Sequence, residues 1–398
     1  MMRVLIIAYT TYIHDGRVKR HAEALADRGD SVDVICLATT PPGPRTRVNV
    51  IGIEIPRYRG ASRINYVASY VRFFTRAAIL AARLSMEQRY DVVMVCTMPD
   101  AAVLCALIPK WLGSAIVLDV HDTMPELYQD KFPGRRGSVG ARLLMIEERA
   151  SAWMADRVLA VHEPHKLRLE RAGVAPHKIR TVMNVPDPRL FHFRPSSPLA
   201  SHREGQPFTV VCHGTLTQRL GLDVGFRAMA LVKAQLPLLR LRVIGTGDYL
   251  AEANEMVVAM GLSDRVSFHD PVPIERLPAL LQGAALGLVP NHPNSATHLM
   301  LPVKLLEYAM LGIPVVSARL HTIEYYFDQS AICYFAPDDP VSLGAALTQL
   351  YHAPQQREAL VRNAYRIVHE LGRTQRERYY QAIDSLLPAQ EALTSGAG

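Results

Sequence analysis

No stretch of this sequence offers the ~20 uninterrupted apolar residues that a membrane-spanning helix needs. The longest apolar stretch, 101–118, is broken by Pro109-Lys110. Cysteine is scarce. The five cysteines (Cys36, Cys96, Cys105, Cys212, Cys333) are odd in number and free of any CxxC, so they exclude a disulfide framework or zinc ribbon. They read as buried thiols in a reducing compartment. Asp-x-Asp occurs nowhere, which removes the usual carboxylate bridge between a divalent cation and a diphosphate. His162 and His165 stand three apart across Pro164, not at the HExxH spacing of a zinc helix. No metal site is expected. The opening VLIIAY, after Met1-Met2-Arg3, is too short for a secretory signal. The 24 Gly and 27 Pro are dispersed over short turns, with no low-complexity tract or internal repeat. A cytoplasmic globular protein is the expectation.

What is present fills two domains. The 398 residues exceed one ordinary core and suit two domains of ~200 each. The net charge of +7 is unevenly placed: residues 1–195 carry 28 Lys/Arg against 19 Asp/Glu, and residues 196–398 carry 16 against 18. The two halves therefore face different partners.

Short apolar runs alternate with amphipathic, helix-length stretches. In the first half the strand-like runs are 3–9, 31–37, 91–96, 114–120, 157–161 and 178–182, with helices near 16–28, 63–88, 100–111, 139–154 and 163–173. The rhythm breaks over the Pro-, Ser- and His-rich stretch 185–207 and restarts with strands at 208–214, 239–245, 265–270, 285–290, 313–318 and 331–336. This is an α/β pattern: two Rossmann-like, doubly wound parallel sheets in tandem. The domains are expected at 1–195 and 208–372, joined by a linker at 196–207, with an amphipathic helix at 373–388 returning to the first domain. Two such sheets imply a cleft, with ligands beyond the carboxyl ends of the strands.

Two motifs follow strands of the second half. In HGTLTQRLGLD (213–223), Gly214 permits close backbone approach, Thr215 opens the turn and Arg219 offers a planar fork suited to diphosphate. The bland alternative is a structural turn with a surface arginine. In LPVKLLEYAMLGIPVVSA (301–318), Pro302 opens a helix, Lys304 sits in its first turn and Glu307 lies one turn later on the same face. A helix start plus Lys304 favours phosphate, and Glu307 suits ribose hydroxyls. A third segment, DVHDTMPELY (119–128), places His121 and Asp122 at a strand's carboxyl end. GTGDYL (245–250) lacks the third glycine of a dinucleotide fingerprint and reads as a tight βα turn.

These segments, in this order, resemble the retaining glycosyltransferases of family 4, which have the GT-B fold. The resemblance extends through DGRVKRHAEALADRGDSVDVI (15–35), DRVLAVHEPHKLRLERAGVAPHKIRTVMNVPD (156–187), LRVIGTGDYL (241–250) and FAPDDPVSLGAAL (335–347), nearly the whole chain. It implies a nucleotide-sugar donor, with Arg219 and Lys304 on its diphosphate and Glu307 on its ribose. Gly214, Thr215, His298 and Leu301 complete the donor-binding set. His121, with Asp122 beside it, positions the donor sugar. Glu126, Asp15 and Arg17 fall on the acceptor side, although Asp15 equally suits a cap on the helix from Gly16. The acceptor implied is a glycan or lipid-linked molecule of surface polysaccharide or glycolipid synthesis. No cofactor and no metal are expected.

The chain departs from the family pattern twice. Many members carry a second Glu where this chain has Leu299, so the loop 291–301 is not the common acidic one and the donor sugar stays open. Many carry a Lys after the turn arginine where this chain has Leu220, which leaves more of the phosphate charge to Lys304. The stretch 57–89 holds seven Arg and one acid, Glu87. It reads either as an amphipathic helix with arginines in solvent or as a contact with anionic membrane or a lipid-diphosphate acceptor. No nucleic-acid motif accompanies it. Rival functions on the same fold are a nucleotide-sugar epimerase, a phosphorylase, and a non-catalytic nucleotide-sugar sensor.

Overall fold

The computed structural model describes residues 1–38, 47–55, 63–132, 134–193 and 205–387. Its contacts divide the chain into two units, Met1–Asn184 with Thr374–Gly398, and Val185–Arg373.

The first unit is built on seven parallel strands: β1 (Arg3–Thr11), β2 (Ser31–Leu37), β3 (Asn49–Ile53), β4 (Val92–Cys96), β5 (Ala115–Val120), β6 (Arg157–Ala160) and β7 (Ile179–Thr181), in spatial order 3-2-1-4-5-6-7. Every pairing is parallel. The central strands are buried on both faces, which is why VLII, VVMVC and AIVLDV read as continuous apolar runs without alternation. Edge strand β3 has no counterpart among the expected runs: NVIGI is short and largely exposed, so its apolar signal is weak. Helices 63–87, 100–111, 135–154 and 163–171 cover one face of the sheet. The helices Gly16–Asp27 and Gln375–Asp384 cover the other. Tyr379 stacks on His21 with ring centroids 4.2 Å apart, and the Tyr380 hydroxyl donates to the Ala24 carbonyl at 2.7 Å.

The second unit has six parallel strands, β8 (Phe208–His213), β9 (Leu239–Ile244), β10 (Val266–His269), β11 (Leu286–Val289), β12 (Val315–Ala318) and β13 (Cys333–Phe335), ordered 10-9-8-11-12-13. The order reverses between β8 and β11, and the carboxyl ends of those two strands make the topological switch point where open α/β sheets bind ligands.

The second unit begins at Val185, not after the Pro-rich stretch. Phe191 is fully buried in its core, and Phe193 packs on Tyr365 at 5.4 Å between ring centroids. Proline content hid two apolar anchors that bind this segment to the second core. Of the expected linker, 196–204 lies outside the described residues.

Candidate functional site

In the second unit the residues after β8 form a short 3-10 turn, Gln218–Leu220, closed by Gly221. Gly221 has φ +68°, and a Cβ there would stand 2.0 Å from the Pro290 carbonyl oxygen, so only glycine lets this loop press against the end of β11. The His292 amide donates to the Arg219 carbonyl at 3.1 Å and locks the two loops together. GTGDYL forms a tight turn on the same loop, with the Leu216 amide donating to the Thr246 carbonyl and the Tyr249 amide to Leu216.

Lys304 enters this arrangement from the helix Val303–Met310, which starts beyond β11 and delivers the chain to β12. Its Nζ lies 3.9 Å from Cys212 Sγ and 3.8 Å from the position of a Cβ on Gly214. It makes no ion pair among the described residues. Lys304 thus lies over the start of the loop that carries Arg219. That loop also holds a buried cationic donor without a partner: Arg219 Nη1 is hydrogen-bonded to nothing among the described residues, and Thr217 Oγ1 and Asn291 Oδ1 are likewise buried and unpaired. Burying such atoms unpaired costs ~1–3 kcal/mol each. Gly214 and Thr215 are exposed at its rim.

Glu307 is buried and accepts from His213, its Oε2 lying 2.7 Å from His213 Nε2. The other ring nitrogen of His213 is 2.9 Å from the Tyr308 hydroxyl, which also reaches the Val211 carbonyl at 3.3 Å. Burial holds the Tyr308 phenol well above its ordinary pKa, so it stays protonated. The His213–Tyr308 support was missed in the sequence, though two signals were there. One is the Tyr that directly follows Glu307; the other is Gly287 inside a strand, where a Cβ would sit 2.3 Å from the Tyr308 ring.

Two of the expected donor residues have other duties. His298 Nδ1 accepts from the His321 amide at 3.3 Å, and its carbonyl accepts from Thr322 at 2.8 Å, so this histidine holds the start of the helix His321–Tyr326. Leu301 packs against the core of the unit. The loop that holds them is fastened by a capping box, Asn294 with Thr297.

A second histidine does bridge loops. His292 Nε2 meets Asp223 Oδ1 at 2.8 Å, and its Nδ1 bonds Asp338. Asp223 opens the helix after Gly221, and Asp338 follows β13. The bond to Asp223 chiefly, against opposing burial, raises the His292 pKa to about 9. Burial alone would raise Asp223, but His292 outweighs it and the carboxylate is lowered. The folded pKa lies above the ordinary value near 6.5, so this clasp stabilises fully below pH ~6.5 and is lost as pH rises through about 9. The melting temperature is expected to fall across that window, and His292→Gln to flatten the fall. Parallel curves for the two proteins would remove the clasp as the cause.

In the first unit the three residues expected on the acceptor side are engaged within the chain. Arg17 is not open to a ligand: its Nε and Nη2 grip Asp119 at 2.6–3.2 Å and its Nη1 donates to the Val182 carbonyl at 2.8 Å. Asp15 caps the helix from Gly16, accepting from the Arg17 and Val18 amides at 3.1 and 3.0 Å. Glu126 accepts two bonds from Arg168, at 2.7 and 2.9 Å. A sequence shows that a charge follows a strand, but not whether an opposite charge elsewhere in the chain has claimed it.

His121 is half-buried after β5, with Nε2 3.0 Å from Asp119 Oδ2 and its amide donating to Thr97 Oγ1 at 3.1 Å. Asp122 is half-buried in the bend before the helix Met124–Lys131. Burial would raise the Asp119 pKa, but Arg17 and then His121 outweigh it and hold the carboxylate well below its ordinary range. Cys96, Asp119 and His121 bring three metal-ligand atoms within 4.8 Å of one another. Asp119 is already spent on Arg17, His121 and His21, and burial pushes the Cys96 thiol up, away from thiolate. That donor set is not a metal site in chemical terms.

The second unit, with Lys304 and the Arg219 loop beside the switch point of a doubly wound sheet, is a Rossmann-like domain. Residues 207–353 match the family model described as Glycosyl transferases group 1, and residues 16–184 match that of the Glycosyl transferase 4-like domain. The chain belongs to this glycosyltransferase family, and its fold is GT-B: two Rossmann-like domains. Among curated relatives, the putative colanic acid biosynthesis glycosyltransferase WcaL of Salmonella typhimurium is 26% identical over 197 residues, 49% of this chain and 47% of that one. The match thus spans about half the length of that relative. The D-inositol 3-phosphate glycosyltransferase of Acidothermus cellulolyticus is 26% identical over 379 residues, 87% of this chain and 79% of that one. Among solved structures, Anabaena Alr3699/HepE in complex with UDP and glucose aligns over 97% of this chain and 98% of its own, with a TM-score of 0.69 and 16% identity.

Proposed function

We propose that the protein is a retaining, metal-independent glycosyltransferase. It takes a sugar from a nucleotide-sugar donor and passes it to a glycan or lipid-linked acceptor in surface polysaccharide or glycolipid synthesis. The observation that carries this reading is the position of Lys304 over Gly214, on the loop where Arg219 keeps a buried, unpaired Nη1. Two fixed cations there meet the charge that grows on a departing nucleoside diphosphate, as a bound divalent ion would elsewhere. Glu307, held by His213, presents its carboxylate to the ribose hydroxyls.

As the glycosidic bond to the diphosphate lengthens, the anomeric carbon gains oxocarbenium character. The acceptor hydroxyl attacks from the face the diphosphate leaves, gives its proton to that departing group, and configuration is retained. His121 keeps the sugar-positioning role that the family resemblance gives it, with Asp119 fixing its ring and Arg17 fixing Asp119. The relatives act in colanic acid and inositol-phosphate chemistry, and the Anabaena structure holds UDP. The bound UDP supports the donor class, and the colanic acid relative supports a glycan acceptor.

A thermal-shift screen of nucleotide sugars tests the donor class, because a ligand that binds the folded state raises the melting temperature, and does so increasingly as its concentration exceeds Kd. At least one nucleotide sugar is expected to raise it, and the bare sugar is expected to leave it unchanged. Product analysis with the stabilising donor then decides the chemistry. Sugar moved to an acceptor with its anomeric configuration kept supports the reading. Epimerised donor formed without acceptor, or tight binding with no turnover, overturns it.

A further inference from the structure

The sequence holds two tryptophans, and burial has claimed neither. Trp111 is 79% exposed and Trp153 82% exposed. They close two helical segments that pack side by side on one face of the first unit's sheet, 100–111 and 135–154, where Lys110 donates to the Met154 carbonyl at 2.7 Å. The outward stripe of 135–154 continues through Leu143 and Ile146, both over 60% exposed. On the neighbouring helix Arg63–Glu87, Ile79 and Met86 are exposed in the same way.

Exposed apolar side chains scattered singly are ordinary. Here they stand in stripes on three adjacent helices, which is the pattern of a contact surface. The charges among them have one dominant sign. Arg72, Arg76, Arg142 and Arg149 are exposed beside the apolar stripes; Arg83 is exposed too but pairs at 2.8 Å with Glu87, the exposed acid on those helices among the described side chains.

We propose that this three-helix face docks on an anionic lipid bilayer, with Trp111 and Trp153 at headgroup level and the arginines on lipid phosphates. Tryptophan favours that interface because its ring is apolar and its N–H needs a polar partner. A symmetric second copy fits poorly, since pairing this face with itself would bring arginines against arginines. No helix among the described residues is long and apolar enough to cross a membrane, so the contact lies on the surface. The basic stretch 57–89 shares one helix with this face, but its residues 57–62 lie outside the described structure. The inference does not depend on the transferase reading, and no sugar donor enters its test.

The two tryptophans report the contact directly. Vesicles of mixed phosphatidylglycerol and phosphatidylcholine are expected to shift the protein's fluorescence to the blue, and bromine-labelled lipid to quench it. Vesicles of phosphatidylcholine alone are expected to do neither at moderate salt. Removing three charges together (Arg72→Gln, Arg76→Gln, Arg142→Gln) keeps both reporters and is expected to weaken vesicle affinity about fivefold per arginine. Trp111→Ser with Trp153→Ser is expected to abolish cosedimentation with anionic vesicles while the circular dichroism stays native. Three results would overturn the proposal: no shift with anionic vesicles, equal binding to neutral ones, or a blue shift that grows with protein concentration alone as the mass doubles.

Discussion

Lys304→Ala is expected to lower turnover on a nucleotide-sugar donor by about 10²–10³-fold, the typical cost of removing one preorganised group that stabilises transition-state charge. Turnover should suffer more than affinity, because the charge Lys304 meets is largest when the diphosphate departs. Leu220 adds no second charge beside Arg219, so little remains to share the task. The fold should persist: Lys304 is half-buried at the start of an eight-residue helix and makes no ion pair among the described residues. Lys304→Arg restores charge but not the compact ammonium, and partial recovery is expected. Glu307→Ala should instead act mainly on nucleotide affinity, and should also cost stability because His213 Nε2 loses its buried partner. Steady-state kinetics with melting curves for each variant separate these effects. Native turnover in a folded Lys304→Ala protein would end the assignment of this site.

The parts of the molecule that bury both faces of a strand were plain in the sequence. Runs such as VVMVC and LGLV have no reason to be apolar throughout unless helices cover both sides of a parallel sheet. The placement of Lys304 and Glu307 was legible for a related reason: a helix that starts just beyond a strand puts its first two turns at the carboxyl edge of the sheet. Charge pairing was not legible. Arg17 and Asp119 are 102 positions apart, and Arg168 and Glu126 are 42 apart. No local pattern says that one neutralises the other, so Arg17 and Glu126 looked available when they were not. The His292 clasp was hidden in the same way, its partners lying 69 and 46 positions distant. The proline-rich 185–193 misled for the opposite reason: local composition suggested a linker, while Phe191 and Phe193 bound it to the second core.

Asp119→Ala is expected to destabilise the first unit by ~3–5 kcal/mol, the cost of leaving one member of a buried ion pair uncompensated. The carboxylate is fully buried and Arg17 nearly so. Three Arg17 nitrogens are committed here, two of them to Asp119, so the guanidinium has no other anion to turn to. A loss of that size takes much of the ~5–15 kcal/mol that a folded domain has. His121 would also lose its anchor, so activity should fall even in the surviving folded fraction. Both tryptophans lie in this unit, so urea unfolding followed by their fluorescence reads it separately from the second. The pH dependence has a definite sign. The folded Asp119 pKa is depressed, so its stabilisation is present above the ordinary carboxylate value near 3.9 and is lost as pH falls toward the depressed one. Acid unfolding of the first unit should therefore lose its dependence on this group in the variant. Replacing both partners with apolar residues, Arg17→Met with Asp119→Leu, should recover most of the stability, since no buried charge remains unpaired. That double variant should not recover activity, because His121 stays unanchored. A single Asp119→Ala protein within ~1 kcal/mol of wild type would show that the pair neither holds the unit together nor fixes the histidine.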